Sequence, residues 1–385
     1  MENRICIVVI GYNRVGSLKR CLDRLNECNY ENDVDLYISI DNSIVNQTTL
    51  EVAQEYKWKF GNKFVIDHNE RLGLKKHVLE CGNLVNKNNY EGIIMLEDDI
   101  YVANDFYNFV CQCINNYRDN DHIAGISLYK HNWNIDAKLP FYPINDGSDV
   151  FYMQYAQSWG QAWSKKMWNS FYNWYLENLE WDKEVSFLPD NVLNWSDKSW
   201  LKYFIKYCVV SNKYYVYPYQ SLSTNFSEIG EHNKNSNLSM QRDLSYAGDN
   251  KYKFSVFDDS IAKYDCFFEN IYLKSLYDYD NTTIDLYSKK KINKKYLLST
   301  KKLNYQIIKK YGLYLKPIEL NILNQIPGND IFLYDTSKKS INSNAKGNYK
   351  LLNYYWYNFD VLESLKYLFG KIKNYIIDRL SRGKK

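Results

Sequence analysis

The stretch Ile93-Ile94-Met95-Leu96-Glu97-Asp98-Asp99-Ile100 runs an apolar strand straight into three consecutive acids. Like charges repel when crowded, so such a cluster at a strand end calls for a compensating cation. Hard divalent ions such as Mn²⁺ or Mg²⁺ take carboxylate oxygens together with substrate phosphates. One or two of these acids could therefore hold an ion that in turn holds a diphosphate. A nucleotide diphosphate would then leave readily, because the ion neutralises the charge it develops. The same acids could instead cap a following helix, since carboxylates are favoured near helix N-termini.

Further residues with chemical potential lie in loops. Asp197, in Trp195-Ser196-Asp197-Lys198-Ser199-Trp200, is a carboxylate that could take a proton from a hydroxyl, or could simply start a helix over Lys198–Tyr207 with Ser196 or Asp197 as its N-cap. His232 follows Gly230-Glu231 and could ligate a metal, bind phosphate or be an ordinary loop histidine. His77 reads as part of a helix surface.

The elements that must position these groups alternate along the first 125 residues. Strands are expected at Ile5–Ile10, Asp35–Ile40, Lys63–Asp67 and Gly92–Leu96, and helices at Gly16–Asn26, Thr48–Phe60 and Leu74–Asn86. Such β/α alternation predicts an α/β fold with a mostly parallel sheet covered by helices. Ligands in these sheets bind beyond the carboxyl ends of the strands. That rule singles out Gly11-Tyr12-Asn13-Arg14, Asp41-Asn42-Ser43, His68-Asn69-Glu70-Arg71 and Glu97-Asp98-Asp99.

Beyond residue 125 the pattern becomes irregular and dense in Trp, which reads as core more readily than as sugar-stacking surface. The stretch 251–325 reads as a helical extension with Lys-rich runs, and 326–359 as a linker. Residues 360–385 form a basic amphipathic helix, which could lie on an anionic membrane or pack on protein. No internal repeat is apparent.

Composition narrows the function classes. With 385 residues, 45% of them hydrophobic and 17% aromatic, the chain can bury a large core in one large domain plus an appendage, or in two domains. A net charge of only +4 gives no field that favours nucleic acid. The eight cysteines form neither CxxC pairs nor a zinc ladder and read as buried free thiols of a reducing cytoplasm. A strand begins within a few residues of Met1, so no secretory signal is expected, and no apolar run of about 18–20 residues would span a bilayer. The expected location is cytoplasmic, peripheral on the inner face of the cell membrane.

Taken in order, these motifs resemble the glycosyltransferase-A fold. The resemblance runs through Gly11-Tyr12-Asn13-Arg14, Asp41, Leu96-Glu97-Asp98-Asp99, Gly125-Ile126-Ser127, Ser158-Trp159-Gly160-Gln161-Ala162-Trp163, Trp195–Trp200 and Pro218 to His232, covering about residues 4–235. The Glu-Asp-Asp form of the acidic motif is similar to the N-acetylglucosaminyltransferase I-like branch and its bacterial surface-polysaccharide relatives, which are family 2-like. The resemblance implies a catalytic domain over 1–250, with a nucleotide-sugar half (1–125) and an acceptor half (126–250), and an inverting, metal-dependent transfer from a nucleotide-diphosphate sugar, expected to be a UDP-sugar, to a glycan or lipid-linked glycan. It further implies that Asp41 contacts the base or ribose, Arg14 or Arg71 the diphosphate, and Asp98 the ribose or donor sugar. Tyr12, Asn13 and Glu97 would join the nucleotide-sugar site, Asp99 would hold Mn²⁺ or Mg²⁺ directly, and Asp197 would be the base. The tail from about 251 has no counterpart in this pattern.

Two other classes compete, and three more are set aside. A sugar-1-phosphate nucleotidyltransferase would need a Gly-rich phosphate loop after the first strand, and Gly11-Tyr12-Asn13-Arg14-Val15-Gly16 is too poor in glycine. A catalytically silent glycan-binding or membrane-adaptor module would not need intact acids at 97–99 and 197. P-loop kinases, Rossmann dehydrogenases and Ser-His-Asp hydrolases each lack their signature here.

Overall fold

The computed structural model describes residues 4–43, 47–181, 187–226, 228, 240–341, 349–355 and 360–382. They fall into two compact units, one of residues 1–279 and 289–291, the other of 280–288 and 292–385.

The first unit begins β1 (Ile5–Gly11), α1 (Val15–Leu25), β2 (Leu36–Ile40), α2 (Gln47–Glu55), β3 (Lys63–Asp67), α3 (Gly73–Gly82), β4 (Gly92–Glu97), β5 (Ile100–Val102), α4 (Phe106–Tyr117) and β6 (Ile123–Ser127). It continues with the short pair β7 (Trp133–Asn134) and β8 (Leu139–Pro140), then β9 (Val150–Met153), β10 (Gln161–Ser164), α5 (Lys165–Glu177), α6 (Asp190–Leu193), α7 (Trp200–Val210), β11 (Tyr214–Pro218), β12 (Ser223–Asn225) and β13 (Lys263–Tyr264). Nine strands form one sheet in the order β13-β9-β11-β6-β10-β4-β1-β2-β3. Pairings β1–β2, β2–β3, β1–β4, β6–β11 and β9–β13 are parallel, while β10 inserts antiparallel between β4 and β6 and β9 pairs antiparallel with β11. This is the mostly parallel α/β architecture expected.

The sequence explains these elements simply. β1, β2 and β4 are almost wholly buried apolar runs, as strands covered on both faces must be. Helix α1 buries Leu18, Cys21, Leu22 and Leu25, one face at helical spacing. Two expected helices end earlier than anticipated: α2 stops at Glu55, and α3 gives way at Gly82 to a 3₁₀ turn over Asn83–Asn86. Gly82 is required for packing, since a Cβ there would lie 2.0 Å from the Trp168 ring on α5. Trp163, Trp168 and Trp200 follow the core reading and are fully buried. Trp163 donates its indole N–H to the Tyr215 hydroxyl at 2.9 Å and Trp168 to Asn83 Oδ1 at 2.8 Å, so their polar atoms are satisfied.

The second unit corrects the expectation of a helical stretch over 251–325 and a linker over 326–359. It holds β14 (Thr282–Asp285), β15 (Tyr296–Ser299), β16 (Tyr305–Tyr311), α8 (Leu320–Leu323), β17 (Ile331–Lys339), α9 (Tyr349–Tyr355) and α10 (Val361–Arg382). The four strands form one sheet, β14-β15-β17-β16, around Leu297, Phe332 and Tyr334. The run Ile331-Phe332-Leu333-Tyr334 is continuously buried, and β17 pairs with β15 on one edge and β16 on the other. The Lys-rich runs that suggested a solvated helix lie outside these strands, in the connection between β14 and β15.

All eight cysteines are free thiols, and all but the half-buried Cys111 are buried. Burial pushes the thiols up, Cys81 and Cys28 to about 12, so they remain protonated and act as small apolar core residues. Among the described residues no helix is long and apolar enough to cross a membrane.

Candidate active site

Strand register assembles the site. Ile10 pairs with Glu97, Gly11 with Ile40, and Ile40 with Asp67, so the carboxyl ends of four parallel strands come into one row. The segments leaving those ends open a cavity of about 780 Å³, counting its open mouth. Tyr12, Asn13, Arg14, Asp41, Glu97, Asp98 and Asp99 line it, together with Gly73, His77 and Glu228.

The acidic turn does not cap a helix, because β5 follows at once and pairs antiparallel with β12. The Phe226 N–H donates to the Asp99 carbonyl at 3.0 Å and extends that pairing past the turn. Cations compensate the crowded carboxylates, as their charge requires. Arg14 spans the pair, donating from Nη2 and Nε to Asp98 and from Nη1 to Asp99 Oδ2 at 3.0 Å. Burial opposes the charge on Arg14, but Asp98 and then Asp99 more than reverse that and hold the guanidinium protonated. Asp98 is pushed up to about 6 by burial, with Arg14 pulling against it. Glu97 is raised well above the usual carboxylate range by burial and by the neighbouring charges of Asp99 and Asp98.

Asp41 has a role that spacing did not reveal. Its Oδ1 accepts from the backbone N–H of Asn42 at 2.9 Å and of Leu72 at 2.7 Å, and its Oδ2 from that of Gly73 at 2.9 Å. A carboxylate from the end of β2 therefore caps α3 from outside the helix. Gly73 sits at φ +71°, a left-handed conformation that a side chain would strain. Asp41→Ala is expected to lower stability by about 1–3 kcal/mol, the range for a lost buried acceptor of backbone N–H groups, and urea denaturation checks it.

Two cavity residues were not foreseen. His77 is buried rather than on a helix surface, and Ser39 Oγ lies 2.7 Å from its Nε2 and 2.9 Å from that of His68. One hydroxyl proton can serve only one of these nitrogens, so the other ring must donate. Burial, and then His68, push His77 down to about 4, leaving it neutral near pH 7. Glu228 pairs with Arg20 at 2.8 Å and accepts from Ser17 Oγ, and Arg20 first of all brings its carboxyl down to about 2. Its place in a loop, with no periodic pattern around it, left no sequence signal.

The remaining expected residues are less gathered. Arg71 lies outside the cavity lining and stacks over the Tyr12 ring at 4.9 Å. Asp197 does not line the cavity: its side chain is 67% exposed and pairs with Lys202 Nζ at 3.1 Å. Its carbonyl accepts from Lys75 Nζ on α3 at 2.9 Å. Neither Ser196 nor Asp197 caps α7, which starts at Trp200 after Ser199, because the preceding turn is closed by the Ser199 N–H donating to the Ser196 carbonyl. His232 lies outside the described residues.

The same groups bear on whether a divalent ion could be held here. Among the described residues no set of three or more His, Cys, Asp and Glu side chains could hold one as an all-protein cage. Asp98 and Asp99 do offer hard carboxylate oxygens in the lining of the cavity. Mg²⁺-type sites are commonly built from one or two carboxylates, water and substrate phosphates, and this donor set fits that pattern.

No family model matches the sequence, and no curated protein does. Among solved structures, the chain is similar to S. aureus TarS 1-349 in complex with UDP-GlcNAc (12% identity, TM-score 0.38, covering 61% of this chain and 61% of that one). It is also similar to S. aureus TarS 1-349 itself (10%, 0.36, 57% and 59%). A third is the mannosyltransferase PcManGT from Pyrobaculum calidifontis in complex with GDP-Man and Mn²⁺ (14%, 0.31, 49% and 50%). The chain thus spans less than two thirds of each, and at these TM-scores the likeness decides nothing about function, which must be read from the site.

Proposed function

We propose that the chain is an inverting, divalent-metal-dependent glycosyltransferase of the glycosyltransferase-A type, moving a sugar from a nucleotide-diphosphate donor, a UDP-sugar, to a glycan or lipid-linked glycan acceptor in surface-polysaccharide or glycoconjugate synthesis. The observation that supports it most is the delivery of Glu97, Asp98, Asp99 and Arg14 to one cavity by the aligned carboxyl ends of β1, β2 and β4. Parallel sheets bind ligands there, and mixed carboxylate and guanidinium groups suit a diphosphate with its counter-ion.

In this reading Arg14 binds diphosphate oxygens through the fork it now offers to two carboxylates, and Arg71 lends charge at the rim. Asp98 accepts from hydroxyls of the ribose or donor sugar. Asp99 would hold the ion, with His232 as a second candidate ligand, and the bound ion would neutralise charge developing on the leaving diphosphate. Asp41, with α3 fixed on it, presents the wall where base or ribose is held, alongside Tyr12 and Asn13. Asp197 removes the proton of an acceptor hydroxyl as that oxygen attacks the anomeric carbon from the face opposite the diphosphate, which inverts that carbon.

The test is incubation with a panel of nucleotide-diphosphate sugars, with Mn²⁺ or with a chelator, followed by product analysis. Slow release of one nucleotide diphosphate, lost with the chelator, is the expected result. Pyrophosphorolysis of a nucleotide sugar would point to a nucleotidyltransferase instead, and sugar binding without turnover to a silent module.

A further inference from the structure

We infer that α10 docks the chain on an anionic phospholipid bilayer, lying flat in the headgroup region. The apolar side chains described on this 22-residue helix, from Val361 to Ile376, are solvent-exposed in the folded chain: Leu362 is 71% exposed, Phe369 66% and Ile376 51%. At 100° per residue, Val361, Leu362, Leu365, Leu368, Phe369, Ile372 and Ile376 share an arc about 120° wide. Lys373 and Lys366 border one edge of that arc, Lys366 paired with Glu363 at 2.7 Å, and Lys371 lies about 60° beyond the other edge with the sequence position of Asp378 next to it. Arg379, near the last turn, is the one basic residue that falls on the arc itself.

Charge complementarity chooses among the possible occupants. Lysines flank the arc on both sides, and the helix carries five Lys and Arg against two acids, a net positive charge. A second copy of this helix would bring like charges together along the seam, where self-pairing helices place both signs. A negatively charged lipid surface pairs with both flanks at once while the arc enters the acyl boundary. The helix is about 33 Å long and too polar to cross a bilayer, so it lies in the interface plane. The inference does not depend on the proposed activity.

The test is flotation of the full chain with vesicles of phosphatidylcholine and phosphatidylglycerol, and with phosphatidylcholine alone. Co-flotation with the mixed vesicles at low salt is expected, with recovery falling at least about tenfold on pure phosphatidylcholine or at high salt. Phe369→Glu should abolish flotation, and Lys366→Gln and Lys373→Gln should each weaken binding about fivefold, the effect of one basic residue near such a surface. Position 369 is exposed, so the variant's unchanged thermal melt separates lost docking from lost folding. Absence of flotation on anionic vesicles, flotation that survives Phe369→Glu, or concentration-dependent dimerisation through α10 in lipid-free sedimentation would overturn it.

Discussion

Asp99→Ala is expected to abolish metal-dependent binding of the donor nucleotide and to cut transfer by about 10²–10³-fold, the cost of removing one preorganised electrostatic contact to developing charge. Asp99 is the last acid of the turn, its backbone held by Phe226 and its carboxylate in the cavity lining and paired with Arg14. The substitution leaves Asp98 paired with the same guanidinium, so the fold loses little and the effect falls on the ligand. Calorimetric titration of nucleotide diphosphates with and without Mn²⁺, on wild type and variant, checks it. Equal metal-dependent affinity in both proteins would remove Asp99 from the ion site. Loss of the Mn²⁺ requirement with affinity kept would show that Arg14 alone carries the diphosphate.

The first half of the fold was legible because its strands announce themselves. Ile5–Gly11 and Gly92–Glu97 are short apolar runs between polar breaks, and Lys63–Asp67 lies where the sequence placed it. The acidic turn, Arg14 and Tyr12 were legible for the related reason that they leave those runs at a carboxyl end. What escaped depends on contacts distant in sequence. Asp41 caps a helix whose first N–H groups are some thirty residues away, and no local pattern encodes that partner. His77 lies on a helix whose register shows which face is buried, not that the buried face reaches a cavity. In the C-terminal unit, short Tyr- and Lys-rich segments carry little periodicity. Strands such as β15 and β17 are recognisable only once they are paired around Leu297, Phe332 and Tyr334.

Asp197→Asn should leave donor affinity near wild type and lower transfer by about 10²-fold or more, the usual contribution of a general base. Its surroundings set the terms of that expectation. Lys202 is almost wholly buried, packs over the Trp181 ring at 4.2 Å, and donates both to the Trp195 carbonyl at 2.9 Å and to the Asp197 carboxylate. A cation fixed in this way ties the Asp197 carboxylate and the Trp195 carbonyl to α7. Asn is nearly isosteric and can still accept from Lys202, so the loop keeps its pose while the proton acceptor is lost. Slow hydrolysis of the donor by water, which needs no acceptor, should fall less than transfer does. Near-wild-type transfer by the variant would show that the exposed carboxylate serves only its lysine, and the base would then be sought among the acids lining the cavity. A parallel fall in donor affinity and thermal stability would assign Asp197 to the scaffold instead. The two assays together therefore separate proton removal from positioning at a residue whose exposure alone decides neither.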